Sequence, residues 1–299
     1  MKLEEKVQTD PGGRGKELLV RSIKFGVLFA LSLAAVFLIP NHSIDPWDLI
    51  NPRLMLLVVV LVMGLQYVAY LVMQLWRKEG IVIMGALLGF VNSNIINGAM
   101  STISKQEPKL SDYAASAVIC GDLAMVLRNL ILGTAISINL VYILWPPMVL
   151  MLATGAWITW RVLQKCSKTV GRTEGLGVSN PFEIKTAILF SLATMLVTIA
   201  GFFVHKFFGN PGLYLTACIA IFAAGVPIIA SAALLAVQGH ITFATAGNVI
   251  LLASFMGILN DAILQLACGA RHLAWSFLKQ AVPIFLAGIV ALGVTHMIF

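Results

Sequence analysis

The chain has 299 residues, of which 59% are hydrophobic and 11% charged, with a formal net charge of +7 and a mean hydropathy of +0.93. Soluble domains carry roughly a quarter charged residues, so a water-soluble globule is excluded. The apolar runs call for a bilayer, at about 20 apolar residues per helical crossing, and the positive excess then reads as cytoplasmic loops rather than nucleic-acid binding.

Residues 1–17 are polar and mixed in charge, and the apolar stretch behind them runs to Ile39 without a convincing cleavage signal. It reads as a retained helix, with Lys24 snorkelling to headgroups near its start. Nine apolar segments follow from hydropathy, near 19–39, 54–76, 81–103, 113–137, 141–162, 184–206, 212–238, 242–268 and 276–298. The third is apolar from Ile81 to Val91 and then changes to Asn92, Ser93, Asn94, Asn97 and Gly98. On the fourth, Asp122, Met125 and Asn129 share a helical face, and Arg128 sits about 120° round the helix from Asp122. The seventh is interrupted by Gly225-Val226-Pro227, where proline removes a donor and clashes with the preceding turn. The eighth carries Ser254, Asn260, Asp261 and Gln265, the last two on one face. Trp145, Trp157, Trp160 and Trp275 read as interfacial anchors.

The longest polar linker, Cys166 to Asn180, divides two stretches that look like copies. Asn51-Pro52-Arg53 matches Asn180-Pro181-Phe182, Val91 to Ala99 matches Val226 to Ala232, and Leu127-Arg128-Asn129 matches Leu259-Asn260-Asp261, in the same order. Nine simple crossings would strand Lys105, Lys109, Arg161, Lys165, Lys168 and Arg172 outside. Turning the third and seventh segments back to the side they entered restores the positive-inside pattern. The expected fold is therefore an all-α polytopic membrane protein: an N-terminal helix plus two inverted repeats, each with three crossings and one re-entrant or broken segment. The expected divisions are 1–50 (cytoplasmic N-terminus and extra helix), 51–165 (first repeat), 166–179 (cytoplasmic linker) and 180–299 (second repeat).

Polar groups at membrane depth are expensive, and they usually face a cavity or one another. The candidate substrate-binding set is accordingly Asn92, Asn94, Asn97, Asp122, Arg128, Asn129, Asn260, Asp261 and Gln265. The Arg128 guanidinium suits a carboxylate or phosphate, or it pins two helices by holding a carbonyl or pairing with Asp261. Asp261 alternatively exchanges protons or binds a cation. The asparagines can bind an ion, sugar or phosphate, or cap broken helix ends. His205, His240 and His272 fall at segment ends without ligand spacing.

No Walker lysine motif, dinucleotide glycine loop, HExxH or nucleophile elbow occurs. The four cysteines are scattered without CxxC pairing, which argues against a disulfide framework or structural zinc. No catalytic residues and no cofactor are expected, and the metal content stays open. The reading is a secondary transporter or flippase-like translocator of a small ion, anionic solute or lipid phosphate. An intramembrane lipid-modifying enzyme and a non-transporting structural or regulatory module are the alternatives. Expected partners are membrane lipids, a small anionic or lipid substrate and a second copy of the chain through Gly121, Ala124 and Gly133, with no nucleic acid. The expected location is a prokaryotic inner membrane, crossed several times, with a cytoplasmic N-terminus.

Asn51-Pro52-Arg53, Gly89-Phe90-Val91-Asn92-Ser93, Leu127-Arg128 and Asn180-Pro181-Phe182-Glu183 resemble an uncharacterised family of bacterial and archaeal integral membrane proteins. In that family this region commonly follows an MgtC/SapB-like domain. The resemblance covers about residues 18–299 and implies the same membrane architecture. It also implies an acidic turn where this chain has Gly225-Val226-Pro227, and the loss of those groups weighs against a cation-coupled mechanism.

Overall fold

The structure, a computed structural model, describes residues 11–75, 81–166 and 184–298. Their regular structure is helical throughout: α1 (Pro11–Leu38), α2 (Pro52–Leu75), α3 (Ile81–Gln106), α4 (Ser111–Ile136), α5 (Val141–Cys166), α6 (Ile184–Val237), α7 (Phe243–Ala267) and α8 (Arg271–Ile298). One-turn 3-10 helices at Pro108–Leu110 and Ile138–Leu140 lead into α4 and α5.

Local sequence sets the helix ends. Pro52 occupies the first position of α2, where its missing donor does no harm. The Asn51 side chain accepts from the N–H groups of Arg53 and Leu54, satisfying two of the free donors there. Thr242 caps α7 in the same way through Thr245. At its far end Gly269 takes a φ of 76°, and the N–H of Ala270 returns to the Gln265 carbonyl, which closes the last turn with a left-handed glycine.

The exterior is apolar and the interior is where the polar groups lie. Leu192, Leu196, Phe207, Phe208, Leu215, Ile219, Leu286, Ile289 and Val290 all stand exposed, while Asn97, Asp122, Arg128, Asn129, Asp261 and Gln265 are buried. A water-soluble fold would reverse that distribution; lipid tails solvate it. The chain is a polytopic helical membrane protein. Trp145, Trp157, Trp160 and Trp275 are exposed as well, and the Arg161 guanidinium lies 3.9 Å from the Trp157 ring centroid.

α4 occupies the middle, touching α2, α3, α5, α6, α7 and α8. Its contact with α3 is built on glycine. A Cβ on Gly85 would strike the backbone of Ala117, and one on Gly89 would strike that of Gly121. These two contacts advance together along both helices, whereas Ser104 meets Ser111 across the α3–α4 turn at 2.8 Å. The start of α3 thus runs alongside α4 and its end runs against it, so α3 changes direction between Gly89 and Ile96. α6 also folds back. The Thr198 and Ser231 hydroxyls, 33 residues apart in sequence, are 2.8 Å apart, a separation a straight helix would stretch to about 50 Å. Gly209, with a φ of 65°, supplies the bend.

The expected nine segments are not what forms. Among the described residues six helices are long and apolar enough to cross a membrane, with shorter apolar stretches at Phe25–Leu38 and Gly225–Val237. The sixth and seventh expected segments join as the single 54-residue α6, which continues through Pro211 and Pro227. α3 remains one element through its asparagines. The linker is then flanked by α2 to α5 on one side and a longer α6 with α7 and α8 on the other. No clear pair of inverted triplets emerges. The small-residue face offered for a homodimer is also used within the chain: Gly121 packs on Ile96 and Gly133 on Leu144 and Ile250.

The loop between α1 and α2 is organised by Asp45, whose carboxylate accepts from the N–H groups of Trp47, Leu49 and Ile50. Partial burial would by itself raise this carboxyl. The N–H donors of Ile50, Leu49 and Trp47 outweigh it and hold the group below its ordinary 3.8. A depressed carboxyl stabilises the fold fully above the unfolded value and stops doing so as pH falls through the folded one. Asp45→Ala should cost about 1 kcal/mol at pH 7. Melting curves in detergent should show the gap between the wild type and the variant closing as pH falls through the lowered carboxyl's titration; a gap unchanged with pH would remove Asp45 as the cause.

Candidate functional site: a buried polar centre on α3, α4 and α7

α3 and α7 meet along a polar ladder. The Asn97 amide donates to the Asp261 carbonyl at 3.0 Å and to its carboxylate Oδ1 at 3.2 Å. Two turns further on, Lys105 Nζ reaches the Cys268 carbonyl at 2.9 Å. The end of α3 and α7 therefore run in the same direction, in register. Ser101 and Gln265, each four residues past the Asn97–Asp261 rung, fall between these two ties and face each other's helix.

Few of these groups are satisfied. Asp122, Asp261 and Gln265 are 1%, 0% and 0% exposed. Both carboxylate oxygens of Asp122, the Oδ2 of Asp261, the Oδ1 of Asn97, the Oγ of Ser101 and both amide atoms of Gln265 are buried without a hydrogen-bond partner. The Asp122 carboxyl lies within hydrogen-bond range of that of Asp261, so a proton held between them would tie one oxygen of each. Buried polar atoms are paired in the great majority of cases. Here several on three helices are left open together.

Arg128 belongs to a different contact. Its Nη1 donates to the Phe90 carbonyl at 3.1 Å, and its Nε has no partner. Of the two internal roles open to Arg128, the hold on a carbonyl forms and the pairing with Asp261 does not, because Asp261 is turned toward Asn97. The arginine instead holds α3 where that helix changes direction. Asn129 donates to Ser254 Oγ at 3.0 Å, a second polar contact between α4 and α7.

The candidate residues thus separate. Asn97, Asp122 and Asp261 come together, with Gln265 one turn beyond Asp261 on the same face; Arg128 and Asn129 serve neighbouring contacts. Asn260 is half-buried and turns about 100° from Asp261. The side chains of Asn92 and Asn94 lie outside the described residues. Ser101 was overlooked in the sequence, although its place four residues after Asn97 was the available signal. His205 and His240, without ligand spacing in sequence, line one cavity of about 280 Å³ with Asn210, Thr242 and Thr245. This cavity is separate from the polar centre.

Residues 60–269 match the family model described as a domain of unknown function, DUF4010, and the chain belongs to that family. No curated protein and no solved structure matches it. An MgtC/SapB-like neighbour rests on the sequence resemblance alone.

Proposed function

We propose that this DUF4010 chain is a secondary transporter of a small ion, which passes through the polar centre between α3, α4 and α7. The observation that carries the reading is the set of buried, unpartnered polar atoms on helices from both sides of the polar linker. A module whose role was only structural would satisfy Asp122, Asp261 and Gln265 within the fold, because each open group is costly in a low-dielectric interior. The open groups are chiefly acceptors, and Arg128 is already engaged by a backbone carbonyl. That balance favours a cation over an anionic solute or a lipid phosphate.

The same reading puts the Lys105 end, where α3 and α7 finish together, on the cytoplasmic side with Lys109 and the polar linker. The test is flux. Purified protein in liposomes should dissipate an imposed gradient of one cation while leaving chloride and phosphate gradients intact. Asp261→Asn should slow that flux at least about tenfold, the scale expected when a required ionic contact is lost. Selective chloride or phosphate flux, or no flux of any ion, would end this proposal.

A further inference from the structure

We infer that Asp122, Asp261, Asn97, Gln265 and Ser101 form a binding site for one hard divalent cation. The inference rests on the transport reading for its role, but the site itself rests on geometry. The Asn97–Asp261 bonds and the Lys105–Cys268 bond fix α3 against α7. Gln265, fully buried with its amide unpartnered, lies one turn beyond Asp261 on the same face. Ser101 approaches from the matching position on α3, and Asp122 enters from α4 beside Asp261.

The donor set selects the class of ligand. The open acceptors are both oxygens of Asp122, Asp261 Oδ2, Asn97 Oδ1, Gln265 Oε1 and Ser101 Oγ. Against them stand the Gln265 amide N–H groups and one hydroxyl. A proton shared between two carboxyls would leave the amide oxygens still open. A metal cation uses carboxylate, amide and hydroxyl oxygens alike, and six to eight such ligands suit calcium, while six suit magnesium. Among the described residues no group of three His, Cys, Asp or Glu side chains gathers, and an all-oxygen set is a poor match for zinc or copper. Charge gives the valence. Once the proton between them is displaced, the two neighbouring carboxylates carry two negative charges in an apolar interior, and a divalent ion cancels both. The acidic pair sits on α4 and α7, away from the Gly225-Val226-Pro227 turn where the resemblance placed acidic groups.

The experiment is thermal melting of the detergent-purified, EDTA-stripped protein against Mg2+, Ca2+, Mn2+, Na+ and K+, followed by isothermal titration of the best ion. Wild type should gain about 5 °C or more with a divalent ion well above its Kd. Asp122→Asn and Asp261→Asn should each abolish that gain. Both substitutions keep the side-chain shape, so metal-free melting temperatures report whether the variants fold; Ser101→Ala, a smaller change, should weaken the titrated affinity about tenfold while leaving the metal-free melt unchanged. Stabilisation by Na+ or K+ alone, by no ion, or a divalent gain that survives both aspartate substitutions overturns the site. Binding without flux in liposomes leaves the site standing and defeats only the transporter reading.

Discussion

Gly89→Ala should be among the most damaging single-methyl additions in this chain. The new Cβ would meet the carbonyl oxygen and Cα of Gly121, and both are backbone, so no side chain can rotate away. α3 and α4 would have to separate along their tightest contact. Overpacking of this kind costs about 1–3 kcal/mol in cores with some freedom to yield and more where backbone meets backbone. A melting temperature in detergent lower by about 5–10 °C is expected, given about 2–4 °C per kcal/mol for domains of comparable size. Gly98→Ala is the matched control. Nothing lies within 4 Å of its added Cβ, and alanine is the better helix former, so this variant should melt at or slightly above wild type. Equal losses in both would mean that the α3–α4 approach is not what glycine secures. The damage at Gly89 should also reach the polar centre, since displacing α3 carries Asn97 away from Asp261.

Arg128→Leu should give the opposite pattern: a protein that folds as well as wild type and has lost activity. The substitution leaves the Phe90 carbonyl without its donor, worth about 1–3 kcal/mol. It also removes a charge from mid-helix, which insertion scales put at about 2.5–3.5 kcal/mol unfavourable. The two nearly cancel, so the melting temperature should move by no more than about 3 °C. An arginine kept for stability would be a poor choice here. One kept to fix α3 at its change of direction explains the expense. Liposome flux should fall at least about tenfold, with Arg128→Lys recovering part of it, because an ammonium can donate to one carbonyl but lacks the planar fork. A large drop in melting temperature with flux preserved would reassign Arg128 to structure.

Much of this centre was legible because charged and amide side chains are conspicuous against an apolar background. Asp122, Arg128, Asp261 and Gln265 could be found by their cost alone. Pairing was less legible. Helical spacing gives the direction in which Arg128 leaves α4, but not that a carbonyl of α3 would lie there. Asn97 was legible only as one of three asparagines with Asn92 and Asn94, since its bond to Asp261 depends on the mutual register of α3 and α7, which no local pattern encodes. Serines and threonines were harder still. Thr198 satisfies itself on the Thr194 carbonyl at 2.7 Å, as such residues commonly do in helices, so sequence gives no sign that it also meets Ser231. The segment count failed for a related reason. Proline and glycine at 209–211 and 225–227 look like terminators, yet α6 runs on through both as one helical element, folding back at Gly209 without a loop between the two arms.

The central position of α4 has a consequence for biogenesis. Translation delivers α4 with its aspartate and arginine well before α6, α7 and α8 exist to surround it. During that interval α3 is the main shelter available, through the glycine contact and the hold on Phe90. The nascent helical pair must wait beside the insertion machinery until the C-terminal helices arrive. Premature termination after α5 should therefore yield a product recognised by quality-control proteases rather than a half-sized folded bundle.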